Sequence, residues 1–303
     1  MPLHVELSPS QAIGVFDSGV GGLTVARAVL SRLPDERLVY LGDTARVPYG
    51  MRSAQTVLRY SRNAARFLLQ NTVKLVLIAC NTASAAALEA LQAELPVGVL
   101  GAVEPGAAAA AAVTRSGIVG VIGTLATVRS GAYERALQKQ NPELIVHTAA
   151  CPLLVPIIEE GWTGERDPVS ELVVRRYLGE LCQRAPQLDT LVLGCTHYPL
   201  LAPLLHRVAG ELWQREIALV DSAQAMAEAA AAELARRQLL FAPPPQDPSG
   251  LCVAPAQSSP AGNEQRRRLT DRLRCFVTDE ARVAEVGARF LGRDLGTIEL
   301  VDL

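Results

Sequence analysis

Two short stretches constrain this chain more than any other feature. Leu75 to Ser84 reads LVLIACNTAS, and Leu191 to Leu201 reads LVLGCTHYPLL. Each is a Leu/Val/Ile run, then a small residue, then a cysteine with a threonine within two positions of it. An apolar run that stops abruptly at polar residues reads as a buried strand whose carboxyl end opens into a site. The pair therefore predicts one site built from two similar halves, with one thiol from each.

The rest of the chain alternates in the way such strands require. Ile13 to Phe16 is a short apolar strand that runs into Asp17, Ser18 and a GVGG turn, followed by a helix with Leu23, Ala26, Val29, Leu30 and Leu33 on one face and Pro34 as its stop. Leu38 to Leu41 is the next strand, and the turn-rich loop after it, through Arg46, Pro48, Tyr49 and Gly50, is a plausible wall of a site. Ser53 opens a long helix leading to the strand of Cys80, and an alanine helix from Ala83 to Leu91 precedes a strand at 97–103. The order βαβαβαβ implies a parallel, doubly wound sheet.

The pattern then recurs. A helix at 107–113 leads to a strand at 117–122 that ends in Gly123 and Thr124, as the first ended at Asp17. From Asp17 to Cys80 is 63 residues, and from Thr124 to Cys195 is 71. Similar spacing between similar landmarks suggests an internal duplication. A strand at 144–148 and a helix at 200–208 continue this half, and a strand at 217–220 and an alanine-rich helix to about Leu240 follow. A proline-rich connection, 242–264, separates it from a late strand (Leu273, Cys275, Val277) and an amphipathic helix (Val283, Val286, Phe290, Leu291) expected to pack back on the first domain. The expected fold is α/β: two doubly wound parallel-sheet domains related by pseudo-symmetry, with a site in the cleft between them. The expected boundaries are 1–103 plus 217–303 for the first domain and 104–216 for the second.

Composition narrows the function. A chain of 303 residues fits roughly two domains. The net charge of −2 argues against nucleic-acid or anionic-membrane partners, and the one basic run, Arg266 to Arg268, reads as a solvated loop. No apolar stretch is long enough to span a membrane and the N-terminus lacks a signal pattern, so a cytoplasmic location is expected. Six cysteines (80, 151, 182, 195, 252, 275) are then expected to be reduced, and none has zinc-ligand spacing, so no metal is expected.

Most of these cysteines read as small buried hydrophobes. Cys80 and Cys195 differ, because each follows a strand and opens a helix. Helix N–H groups there favour a thiolate and are expected to lower the thiol pKa. Two thiols facing each other across a small substrate could remove a proton from one face of a carbon and return one to the other, inverting a stereocentre without a cofactor. The GVGG amides could hold a substrate carboxylate, with Asp17 placed to meet an ammonium. His197 and Asp17 could tune Cys195 and Cys80, respectively. Glu159 reads equally as a helix-surface acid or as an acid leaning into the cleft.

Six segments carry a resemblance: GVFDSGVGGLTV (14–25), YLGDTARVPYG (40–50), ACNTASA (79–85), GVIGT (120–124), CPLLVP with Glu159, and LGCTHYPLL (193–201). Together they resemble the glutamate racemases of the cofactor-independent Asp/Glu racemase family. The resemblance implies Cys80 and Cys195 as the acid/base pair, assisted by Asp17, Glu159 and His197. It implies substrate contacts from Asp17, Ser18, Tyr49, Gly50, Asn81, Thr82, Thr196 and His197, and production of D-glutamate for peptidoglycan. A homodimer is a further expectation from relatives. An aspartate racemase using the same thiols, a hydrolase or transferase with one nucleophilic cysteine, and a small-ligand binding protein are the competing readings.

Overall fold

The computed structural model describes residues 6–243 and 272–303. Cys252, Arg266 to Arg268 and all but the first two residues of the proline-rich stretch lie outside the described residues. The strands are, in chain order, β1 (Ala12–Asp17), β2 (Leu38–Gly42), β3 (Val73–Ile78), β4 (Gly98–Gly101) and β5 (Ile118–Gly123). They continue as β6 (Ile145–Ala150), β7 (Thr190–Gly194), β8 (Ala218–Asp221), β9 (Leu273–Val277) and β10 (Ile298–Leu300).

These strands form two sheets, ordered β10-β9-β2-β1-β3-β4 and β6-β5-β7-β8, and every pairing is parallel. Inside the first sheet, β2-β1-β3-β4 repeats the order β6-β5-β7-β8 of the second, as the expected duplication requires. In each half the chain steps outward from its first strand in both directions, so a crevice opens between β1 and β3 and between β5 and β7. Asp17 ends β1, Cys80 follows β3, Thr124 follows β5 and Cys195 follows β7. All four chemistry-bearing positions therefore sit at the two places where this topology leaves room.

Helices cover both faces. They are α1 (Leu23–Arg32), α2 (Ala54–Gln70), α3 (Asn81–Glu94), α4 (Val103–Val113), α5 (Leu125–Arg129) and α6 (Ala132–Gln140). The remainder are α7 (Leu154–Glu159), α8 (Pro168–Arg184), α9 (Ala202–Trp213), α10 (Ser222–Arg236) and α11 (Val283–Leu291). Ser53 caps α2 through Thr56 N–H, and Asp167 caps α8 ahead of Pro168. Central strands β3 and β7 are buried along their whole length, which is why they read as unbroken apolar runs. Among the described residues no helix is long and apolar enough to cross a membrane.

Three expectations need correction. Ala218–Asp221, assigned from sequence to the first domain with 217–303, pairs with β7 in the second sheet; among the described residues the chain rejoins the first sheet at β9, beside β2. The strand expected at 97–103 is shorter: β4 stops at Gly101 and Val103 already opens α4, with Glu104, Pro105 and Gly106 in its first turn, where a proline's missing N–H is harmless. Helices α5, α6 and α8 were not read from the sequence, although the Asp167-Pro168 start of α8 was a visible signal.

Lys74 and Glu36 form a fully enclosed ion pair at 2.7 Å, tying the start of β3 to the turn before β2. Lys74 Nζ also donates to the Pro9 carbonyl, and Glu36 accepts from Phe241 N–H. One buried pair thus fastens the amino-terminal segment, the first sheet and the segment that follows α10. Such a pair is satisfied only as a complete network.

Candidate active site

A cavity of about 540 Å³ opens between the two sheets, and Cys80 and Cys195 both line it. Each cysteine is 6% exposed. Ser18, Tyr49, Gly50, Asn81, Thr82, Glu159, Thr196 and His197 also line it, so the structure gathers nearly every residue the sequence singled out. Asp17 is the exception. It is buried behind Ser18 and Gly19 and is absent from the lining, so the direct ammonium contact expected of it is not what this geometry offers.

On the first side, Cys80 is the N-cap of α3, and its sulfur accepts from Ala83 N–H at 3.5 Å. Its thiol donates to Ser18 Oγ at 3.5 Å. The sequence expectation was a lowered thiol pKa. Instead, burial first and the Asp17 charge second outweigh these hydrogen bonds and push the Cys80 thiol up to about 12. One Asp17 oxygen accepts from Gly19 N–H at 2.9 Å while the other is buried without a partner. Burial raises the Asp17 pKa, with the positive field of His197 and backbone N–H groups opposing it.

On the second side, Cys195 Sγ lies 3.9 Å from His197 Nδ1, and His197 Nε2 lies 2.9 Å from Glu159 Oε1. This resolves the two readings of Glu159: the acid leans inward onto the histidine. Burial works against an imidazolium here, but the hydrogen bonds to Cys195 and Glu159 prevail and raise His197 to about 10. Both partners favour the charged imidazole, which is held between a sulfur and a carboxylate. The two sulfurs have different surroundings, a buried carboxyl behind Cys80 and an imidazole beside Cys195.

The halves meet through hydroxyls and amides. Thr82 Oγ1 lies 2.9 Å from Thr124 Oγ1 and 3.0 Å from Thr127 Oγ1, linking the start of α3 to the start of α5. Tyr133 donates to Asn81 Oδ1 at 2.7 Å, and Thr24 Oγ1 donates to the Thr196 carbonyl at 3.0 Å. Tyr49 is buried and donates to Asp43 at 2.5 Å, which fixes the loop wall predicted around Gly50. Gly21 permits the closest approach: a Cβ there would lie 2.3 Å from Thr196 Oγ1 and 2.4 Å from His197 Nδ1. Thr124 lines the cavity and was missed as a site residue, although its place after β5, matching Asp17 after β1, was a readable signal. Among the described residues no group of three His, Cys, Asp or Glu side chains could hold a metal ion.

The fold and site define a two-lobed parallel α/β protein that presents one cysteine from each lobe to a shared cavity. Residues 23–230 match the sequence model of the Asp/Glu/Hydantoin racemase family. The chain is 50% identical over 296 residues to a glutamate racemase of Geobacter metallireducens, covering 97% of this chain and 98% of that one. It superposes on a glutamate racemase isoform of Bacillus anthracis with a TM-score of 0.81 at 35% identity, covering 97% and 98% of the two chains. A Francisella tularensis glutamate racemase in complex with D-glutamate gives 0.80 at 31% identity over the same shares. The chain belongs to the Asp/Glu/Hydantoin racemase family.

Proposed function

We propose that this chain interconverts L- and D-glutamate without a cofactor, using Cys80 and Cys195 as a pair of acid/base thiols, and that it supplies D-glutamate for peptidoglycan. The observation that carries the reading is that equivalent strands of the two half-sheets deliver one cysteine each to the same cavity. Relatives over almost the whole chain are named glutamate racemases, which favours the five-carbon acid over aspartate.

In one direction a thiolate takes the α-proton, and the electron pair of the C–H bond passes into the adjacent carboxylate. The opposite thiol then gives its proton to the other face of the carbon and is left as the thiolate. The enzyme ends in the protonation state that accepts the product enantiomer, so the two directions use the sulfurs in opposite roles. His197 Nδ1, 3.9 Å from Cys195 Sγ, is the ring nitrogen within reach of that sulfur. On the other side, a thiol raised to about 12 needs a compensating positive charge, and the substrate ammonium brings one into the cavity. The hydroxyls of Thr82 and Thr124 and the amides at the start of α3 and α5 are suited to the substrate carboxylates.

Incubating each glutamate enantiomer separately in D2O, with no cofactor added, tests this. Deuterium should enter the α-position from either enantiomer as optical rotation decays to zero. Cys80→Ser and Cys195→Ser should each abolish inversion, while each still eliminates a good leaving group from a substrate analogue of one handedness only. A covalent adduct to one cysteine, with the other dispensable, would instead favour a hydrolase or transferase. Binding without α-proton exchange would reduce the protein to a ligand binder. Faster racemisation of aspartate than of glutamate would reassign the substrate.

A further inference from the structure

We infer that Arg289 and Phe290 of α11 are positioning residues for the Glu159–His197 pair, so that a helix seated on the first lobe controls the proton chemistry of the second lobe's cysteine. The inference rests on the racemase reading above. Four observations converge on it. Arg289 Nη1 donates to the main-chain carbonyl of Glu159 at 2.7 Å, the last residue of α7, where helix carbonyls lack internal partners. Phe290 is fully buried, its ring edge-to-face with His197 at a centroid distance of 4.8 Å. Arg282, just before α11, pairs with Glu160 at 2.7 Å.

Gly161 supplies the fourth. Its φ of +82° already favours glycine, and a Cβ there would lie 3.0 Å from Arg289 Nη1 and 3.1 Å from its Cζ. The chain leaving α7 is thus trimmed where the guanidinium passes. Meanwhile α11 is anchored elsewhere: a Cβ at Gly287 would lie 3.0 Å from Leu23 Cδ1 of α1, so the Leu23 side chain packs directly on the α11 backbone. Glu159 therefore points at His197 from a backbone clamped by the other lobe, while the two hydrogen-bond partners of the Cys80 sulfur, Ser18 and Ala83 N–H, belong to its own lobe. The control is one-sided.

One-sidedness makes the idea testable. The two enantiomers are equally stable, so kcat/KM must be equal in the two directions for every variant, and isotope effects read the asymmetry that this ratio hides. With [2-²H]glutamate of each hand, Arg289→Ala should lower kcat about tenfold with KM within about twofold, and should raise the primary isotope effect only for the enantiomer whose proton Cys195 takes. That hand is assigned independently by which analogue Cys80→Ser still eliminates. Phe290→Leu should do the same more weakly, Arg289→Lys should recover part of the loss, Arg282→Ala should lower kcat less than Arg289→Ala, and Arg176→Ala, at an exposed ion pair with Glu180 on α8, should leave rates and isotope effects unchanged. Isotope effects that rise equally for both hands, or a lower melting temperature with unaltered kinetics, would overturn the inference. A wild-type protein that fails to exchange the α-proton would sink the racemase reading instead.

Discussion

Replacing Glu159 with glutamine should move the alkaline limb of the activity profile in a direction that can be worked out beforehand. His197 is raised to about 10 although burial opposes its charge, and Glu159 at 2.9 Å is one of the two partners that raise it. A hydrogen bond to a charged group contributes about 1.5–3 kcal/mol. The Glu159 side chain is 41% exposed, so solvent screening brings this to about 1.4 kcal/mol, or about one pKa unit. Glu159→Gln keeps the shape and removes the charge, so His197 should lose its proton about one unit lower. Because the folded value lies above that of the unfolded chain, the stability from this pair also fades as pH climbs towards 10. Racemisation followed by circular dichroism from pH 6 to 10, with ¹⁵N NMR of His197, reads both effects. A limb that stays in place or moves up, with an unchanged imidazole titration, would show that Glu159 does not hold the histidine's charge.

Asp17→Asn should stabilise the fold by about 1 kcal/mol at neutral pH, because burial raises the Asp17 pKa and the ionised form is the disfavoured one; the gain should vanish in acid, where aspartate is neutral too. The same change removes an anion that raises Cys80, so iodoacetamide should label Cys80 faster at pH 8, and unchanged labelling would contradict the assignment. Gly21→Ala places a methyl 2.3 Å from Thr196 Oγ1 and should cut kcat by more than about tenfold while leaving far-ultraviolet circular dichroism intact. Lys74→Met strands Glu36 in the interior and should lower unfolding free energy by about 3–5 kcal/mol in urea titrations; a loss under about 1 kcal/mol would mean that water reaches the carboxylate.

The two-sheet architecture was readable because its cause is local. Strands buried on both faces must be apolar throughout, and β3 and β7 announce themselves that way. The polar residues that interrupt them, Cys80 with Asn81 and Thr82, and Cys195 with Thr196 and His197, follow directly in the chain and so marked the site. Partnerships between distant segments were not legible. Nothing near Glu159 in sequence says that its carboxylate meets a histidine 38 positions later or that its carbonyl is held by an arginine 130 positions later. The direction of the Cys80 shift also belongs to the folded state. Capping N–H groups could be foreseen from a strand–cysteine–helix pattern, but the burial and the buried Asp17 charge that outweigh them arise only once β1 and β3 lie side by side. Proton affinity depends on dielectric and on the distances to other charges, and neither quantity exists until the chain has closed on itself.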